Sequence, residues 1–176
     1  MRKQEKIGYG VLVVALLLFV VGTVGYTIEG EVNDVPTPNA PQKTFFADEP
    51  LPEQTLRTLV SATLTLTWDR DDVYVVIADE DEKNTCTSLP EGLFPNSEGC
   101  GPTDSDVVAG GMDGEKGLTW DVEAGVYFAG VGTNTEGLPQ GSEVNIFYEV
   151  HIKADFVTYF ILVLIGAAGF AYTRVE

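Results

Sequence analysis

The sequence has little of the material from which catalytic and metal sites are built. Its 176 residues include one histidine and two cysteines, too few for a usual zinc ligand set. No G-x-S-x-G turn is present, so a serine nucleophile of the hydrolase type is not indicated. His151, the single candidate base, has no recognisable catalytic partners and is interpreted as a surface histidine. We therefore expect a protein that is not an enzyme, with a hydrolase as a distant alternative.

Basic residues are scarce as well. Ten Lys and Arg stand against 27 Asp and Glu, and the formal net charge is −17. Nucleic-acid binding needs a basic surface that displaces counterions from phosphates, so this composition excludes nucleic-acid partners. The acidity itself fits two interpretations, which are adaptation to high salt and a surface for a cationic ligand or partner.

Charges are absent from two apolar runs near the ends of the chain. Residues 7–26 are 20 uncharged residues, which as a helix span about 30 Å, the thickness of the hydrocarbon core. Residues 156–172 are 17 more, at the short end of the usual range of about 17–25. We predict transmembrane helices over 7–27 and 154–173. A cleaved secretory signal is the alternative for the first run, although its apolar part is typically only about 7–15 residues.

The flanking charges predict the topology. Three basic residues precede the first run, and Arg174 follows the second. Because basic residues are enriched on the cytoplasmic side, both terminal tails, 1–6 and 174–176, are expected in the cytoplasm. The segment 28–153, with 24 acidic and 6 basic residues, then lies outside the cell membrane.

Both cysteines, Cys86 and Cys100, fall in this outer segment, where disulfides persist. Thirteen residues separate them. A bridge that closes a loop of this length stabilises the fold by about 3 kcal/mol in the chain-entropy model. We predict a disulfide, with two unrelated thiols as the alternative.

Strand patterns follow a proline-rich stretch. Five prolines between residues 35 and 52 predict a stiff extended spacer over 28–54, with one short edge strand at 43–46. Beyond it, apolar and polar residues alternate over 56–68, as in a half-buried strand. An acidic turn leads into an apolar strand over 73–78, and we expect these two strands to form a hairpin.

Three more strands are expected after an irregular stretch over 79–106. They lie at 117–122, 126–131 and 144–152. No helical pattern of useful length occurs between the two apolar runs. Many short strands separated by turns are typical of a β-sandwich, so we predict an all-β, jelly-roll-like sandwich over 55–153.

The segments SATLTLTWDRDDVYVVIAD, TWDVEAGVYFAGVG and SEVNIFYEVHI resemble the strand succession of pre-peptidase C-terminal and related jelly-roll domains. In that pattern a tLtW strand leads through an acidic turn into an apolar strand, and a GxYxxxV strand precedes a final alternating one. The outline is also similar to GOLD-type ectodomains of membrane cargo receptors, which lead directly into a transmembrane helix. The DxDLY motif is only partly kept, as Asp71, Asp72, Val73 and Tyr74. The resemblance, over about residues 61–152, implies a binding or assembly module without catalysis.

Calcium is the metal that the acidic clusters would suit, because it prefers hard oxygen ligands. The first candidates are Asp69, Asp71 and Asp72. None of the clusters follows D-x-[DN]-x-[DN]-G-x5-E, and solvated acidic loops are the favoured interpretation. No cofactor is predicted beyond this calcium hypothesis. The other clusters are Asp79, Glu80, Asp81 and Glu82, and Asp104, Asp106, Asp113 and Glu115.

Small residues lie in the cytoplasmic half of both predicted spans. They are Gly8 and Gly10 in the first and Gly166 and Gly169 in the second. Small side chains permit the close backbone approach on which helix pairing in lipid rests. The two spans are expected to pair there, unless these residues receive a different protein.

These features predict a membrane-anchored extracytoplasmic binding or assembly module. It would be an accessory subunit of a membrane complex, or a surface receptor or adhesion module, with other membrane or envelope proteins as partners. A calcium-dependent structural module of the cell envelope is the alternative.

Overall fold

The computed structural model describes residues 3–39, 43–88, 100–133 and 138–174. This part of the chain forms strands between two apolar helices, as the sequence predicts in outline. In chain order the elements are α1 Lys3–Val24, β1 Tyr26–Pro36, β2 Thr44–Phe46, β3 Val60–Trp68, β4 Val73–Asp79, α2 Glu80–Ser88, β5 Ala109–Gly111, β6 Leu118–Asp121, β7 Tyr127–Thr133, β8 Glu143–Ala154 and α3 Phe156–Tyr172.

The strands form two four-stranded sheets. One sheet has the order β1-β8-β3-β6 and the other has the order β2-β7-β4-β5. Apolar side chains from both sheets meet in one core cluster, in which Leu66 of β3 and Val144 of β8 join Val75 of β4. The architecture is therefore sandwich-like, which confirms the coarse fold prediction.

Strand β4 is the most deeply buried element. Its residues Val73–Ala78 are at most 3% exposed. It lies between β7 and β5 in antiparallel pairing, with Val75 opposite Val131 on one side and Gly111 on the other. A strand covered on both faces needs an unbroken apolar run, which is what this segment supplies. The prediction of a central strand here is confirmed.

The predicted hairpin of the first two long strands is wrong. β3 pairs within one sheet and β4 within the other, so the acidic turn at 69–72 carries the chain between the sheets. Trp68 Nε1 donates to the carbonyl of Val73 across this turn at 2.9 Å. Both residues belong to the core cluster between the two sheets. Because the chain crosses from one sheet to the other here, both side chains can be buried in that core.

The spacer predicted over 28–54 also needs correction. Tyr26–Pro36 forms β1, an 11-residue strand of a sheet. The prolines begin only at Pro36, and before them apolar and polar residues alternate with the period of two that a strand requires. The short edge strand expected at 43–46 is confirmed as β2.

A short helix, α2, lies in the stretch where no helix was predicted. Asp79 caps it, because its Oδ1 accepts from the backbone N–H of Glu82 at 2.8 Å. The D-x-x-E spacing of these two residues resembles a capping box and is the sequence signal for this helix. The helix is polar throughout, so it lacks the apolar periodicity on which the prediction relied.

The two apolar helices differ in length. Within the described residues α1 is the one helix that is long and apolar enough to cross a membrane, over the 20 residues of Glu5–Val24, whereas α3 has 17 apolar residues and is shorter. α1 ends before the predicted boundary at residue 27, because Gly25 has a φ of +76° and leads the chain into β1.

The chain divides into two compact units. One consists of Met1–Thr27, Thr55–Ala62 and His151–Glu176, and the other consists of Ile28–Gln54 and Thr63–Val150. The first contains both apolar helices and is called the helix unit here. The second contains the core of the sandwich and is called the sandwich unit.

Candidate functional site

Within the helix unit, α1 and α3 pack along a seam of small residues. A Cβ added to Gly8 would lie 2.6 Å from the carbonyl oxygen of Gly169, a distance that real Cβ atoms essentially never show. A Cβ added to Gly166 would lie 3.7 Å from the Cβ of Ala15, which is an ordinary contact. The backbones therefore approach most closely at Gly8 and Gly169, where the absence of a side chain permits it.

Three of the four glycines that the sequence suggested for helix packing lie in this seam. They are Gly8, Gly166 and Gly169. The prediction is wrong for Gly10, since no described atom lies within 4 Å of a Cβ built on it. Residues two apart on a helix do not share a face, so Gly10 points away when Gly8 faces α3.

The seam continues along the other half of the helices, which the sequence analysis missed. A Cβ added to Gly22 would lie 2.8 Å from the Cβ of Ala154, and the rings of Phe19 and Tyr159 are in contact at a centroid distance of 4.9 Å. Gly8, Ala15 and Gly22 are spaced by seven residues. Such spacing keeps small residues on one face of a helix, and it is the signal that predicts the whole seam.

The single histidine joins the strands that leave the two helices. His151 Nδ1 lies 2.9 Å from the hydroxyl oxygen of Thr27, which links the end of β8 to the start of β1. A Cβ added to Gly25 would lie 3.0 Å from the His151 ring. The imidazole therefore fills space beside a glycine with positive φ, in a polar junction just beyond the apolar helices.

A cleft lined by both polar and apolar side chains lies at the opposite end of the helix pair. It has a volume of about 570 Å³ and is lined by Glu5, Tyr9, Phe170, Thr173 and Arg174. The guanidinium of Arg174 lies 4.8 Å from the centroid of the Phe170 ring. Charged and amphipathic side chains of this kind gather where an apolar helix meets water. The apolar part of the pair thus has a polar boundary at each end.

In the sandwich unit, the first calcium candidates are held in a hydrogen-bonded network. Asp69 accepts two bonds from Asn145, at 3.0 Å from the backbone N–H and at 2.7 Å from the side-chain amide. Arg70 donates to both carboxylate oxygens of Asp72, at 2.8 and 2.7 Å. These hydrogen bonds lower the pKa of Asp72 and raise the pKa of Arg70. Two of the three carboxylates therefore already have protein partners.

Asn145, like Arg70, belongs to this network but was missed by sequence reasoning. Its side-chain oxygen accepts from the backbone N–H of Asp34 at 3.1 Å, and Asp34 has a φ of +57°. A non-glycine residue with positive φ carries strain, which asparagine and aspartate tolerate best. One amide thus ties the acidic turn to the end of β1, although nothing in the local sequence marks it.

The predicted disulfide between Cys86 and Cys100 is present, with a Cα–Cα distance of 5.9 Å. Glu82 Oε1 lies 3.3 Å from Cys86 Sγ. Burial, and after it the negative charges of Asp106, Asp104 and Asp79, raises the pKa of Glu82. Within the described residues, a carboxylate oxygen of Glu82 and the two sulfurs lie close enough together to be considered as ligands of one metal ion. Because both sulfurs are bonded to each other, neither is available as a thiolate ligand.

We expect calcium to give no specific stabilisation at the acidic turn. A cation there competes with the existing partners of Asp69 and Asp72, so millimolar calcium should raise the melting temperature only as much as matched magnesium does. Asp69→Ala should lower the free energy of unfolding by about 1–2 kcal/mol through the loss of its two hydrogen bonds. Exposed Asp71→Ala should change it by less than about 0.5 kcal/mol. A calcium-specific shift that Asp71→Ala removes would contradict this expectation.

A scan against protein-family models and searches of curated proteins and of solved structures found no match to this chain.

Proposed function

We propose that the chain is a two-pass membrane protein whose acidic sandwich serves as an extracytoplasmic binding or assembly module. It would be an accessory subunit of a membrane complex, or a surface receptor or adhesion module. The observation that carries this proposal is the distribution of apolar side chains. Of the 29 exposed large hydrophobic residues in the described chain, 20 lie on α1 and α3. A surface of this kind is unfavourable in water and suited to lipid.

The seam supports retention of the first helix as an anchor. Gly8, Ala15 and Gly22 of α1 contact α3 from one end to the other. Removal of α1 as a cleaved signal would leave the packed face of α3 without its partner, including Leu162, which is only 8% exposed. The antiparallel packing also places Lys6 and Arg174 at the same end of the pair, which the positive-inside bias assigns to the cytoplasm.

Strand β1 supports a binding role for the sandwich. The edge strands β2, β5 and β6 have only three, three and four residues, whereas β1 is an edge strand of 11 residues. Long edges present unpaired backbone groups to which a partner strand can add. Exposed Glu29 and Glu31 lie on this edge strand, so a partner strand with basic side chains is favoured. The resemblance to GOLD-type ectodomains agrees with such a role.

Labelling of introduced cysteines tests the topology. In intact cells Glu115→Cys should react with a membrane-impermeant maleimide, whereas Gln4→Cys and Tyr172→Cys should react only after permeabilisation. The native cysteines are paired and contribute little background. Reaction of Tyr172→Cys from outside would contradict the two-pass arrangement, and a mature chain that begins near Tyr26 would show that α1 is cleaved.

Purification of the same full chain in mild detergent tests the binding role. A second protein should copurify in fixed stoichiometry, and Glu29→Lys combined with Glu31→Lys should weaken that complex by reversing the charge of the edge strand. Glu115→Lys, which changes an equally exposed acid outside β1, is the matched control. A chain that purifies alone, or a complex that both variants leave unchanged, would count against this role.

A further inference from the structure

The turn before β3 exposes two leucines next to the start of α3. Leu56 is 61% exposed and Leu59 is 39% exposed. Isolated exposed leucines are common on protein surfaces and need no explanation. This turn, however, belongs to the helix unit and not to the sandwich unit. Its leucines therefore extend the apolar surface of the two helices.

Hydrogen bonds fix the turn to the first residues of α3. The carbonyl oxygen of Leu59 accepts from the backbone N–H of Asp155 at 2.9 Å and from the hydroxyl of Thr158 at 2.6 Å. Within the turn, the N–H groups of Leu59 and Val60 donate to the carbonyl of Leu56 at 2.8 and 3.0 Å. The two leucines are thus held on an ordered turn beside the N-terminus of α3.

The position of the two leucines matters because α3 is short for a transmembrane helix. Its 17 residues span about 26 Å, short of the roughly 30 Å hydrocarbon core. A span that is too short exposes polar groups to lipid or thins the bilayer. Apolar residues placed beyond the N-terminus of α3 compensate for the missing length. The bonds to Asp155 and Thr158 hold Leu59 at that end, where Phe156 is also exposed.

We propose that the turn Thr55–Leu59 inserts Leu56 and Leu59 into the boundary between headgroups and acyl chains of the outer leaflet. The occupant of this surface is lipid, since the turn is continuous with the apolar helix surface, and Arg57 between the leucines is exposed and suited to lipid phosphate. The proposal rests on the two-pass arrangement proposed above. It adds a third membrane contact, made by a segment that precedes β3 and that hydropathy alone does not mark.

Depth-dependent fluorescence quenching of the full chain in phosphatidylcholine vesicles tests this contact. Because Cys86 and Cys100 are paired, a thiol-reactive NBD probe can be attached to single introduced cysteines at Leu56, at Leu17 in the middle of α1, and at exposed Met112 of the sandwich unit. We expect the probe at Leu56 to be quenched most by lipids that carry a spin label near the headgroup, and the probe at Leu17 by lipids labelled deep in the acyl chain. The probe at Met112 should be quenched by neither.

The outcomes separate this inference from the proposal on which it rests. If the probe at Leu17 is quenched and that at Leu56 behaves like that at Met112, the helices span the bilayer but the turn does not enter it, and the inference is overturned. If the probe at Leu17 is not quenched, the membrane proposal itself fails. Arg57→Cys supplies a second probe on the same turn, at an exposed side chain whose replacement should not disturb folding, and quenching by the shallow label is expected there too.

Discussion

Ala15→Cys combined with Gly166→Cys is expected to form a disulfide within a single chain when membranes that contain the protein are oxidised. A Cβ on Gly166 lies 3.7 Å from the Cβ of Ala15, within the range of about 3.5–4.5 Å that disulfides require. Both positions lie near the middle of the seam, where neither helix end can fray. The crosslink should be close to complete, and mass spectrometry of the linked peptides distinguishes it from the native bridge.

Gly10 provides the control for this crosslink. Gly10→Cys combined with Gly166→Cys should not crosslink within a chain, since no described atom lies near the Cβ position of Gly10. Adding Gly169→Ile to the first pair should abolish the crosslink, because a side chain there would meet Val11 at 2.9 Å and force the helices apart. Gly10→Ile should leave it unchanged.

Crosslinks that form only between chains would contradict the intramolecular seam. The small residues would then be an interface for a second copy or for a partner helix. Such a result would strengthen the assignment as an accessory subunit and remove the support that the seam gives to retention of α1 within the same chain.

Sequence patterns predicted the strands whose burial can be read from a few neighbouring residues. The alternation in β3 and β8 and the apolar run of β4 are each readable over a few residues, because burial on one or both faces dictates the side chains directly. The connection from Trp68 to Val73 was misread because a four-residue acidic turn fits a hairpin and a crossing between sheets equally well. Which sheet receives β4 depends on β7, more than 50 residues later in the chain.

The candidate site was predicted where small residues cluster in one half of both helices and missed where it is assembled from distant residues. Gly8, Gly166 and Gly169 were predicted because small residues lie in the cytoplasmic half of both apolar runs, whereas Gly22 is recognised only from its seven-residue spacing to Ala15 and Gly8. The hydrogen bonds that Asn145 donates to Asp69 and that Thr158 donates to the carbonyl of Leu59 join residues 76 and 99 positions apart. No sequence pattern encodes such pairs, because each partner taken alone is an ordinary polar residue or backbone carbonyl.

Replacement of both cysteines by serine is expected to lower the free energy of unfolding of the sandwich by about 3 kcal/mol. The bridge closes a loop with a sequence separation of 14 residues, and this value follows from the entropy that the loop regains in the unfolded chain. The position of the bridge adds to the effect. The carbonyl of Cys100 accepts from the hydroxyl of Thr44 at 2.8 Å, and Thr44 Oγ1 lies 2.9 Å from the hydroxyl oxygen of buried Tyr74.

Unfolding by urea, followed by the fluorescence of buried Trp68 and Trp120, measures this loss in the full chain in detergent. The reduced native protein and the variant Cys86→Ser/Cys100→Ser should unfold at the same urea concentration, because each lacks the same constraint, and reductant should not shift the variant further. Glu80→Ala, an exposed substitution at the start of α2, serves as the control and should stay within about 0.5 kcal/mol of the native protein. Two thiols that alkylate without reduction in freshly isolated protein, or a variant as stable as the oxidised native chain, would show that the bridge does not stabilise the sandwich.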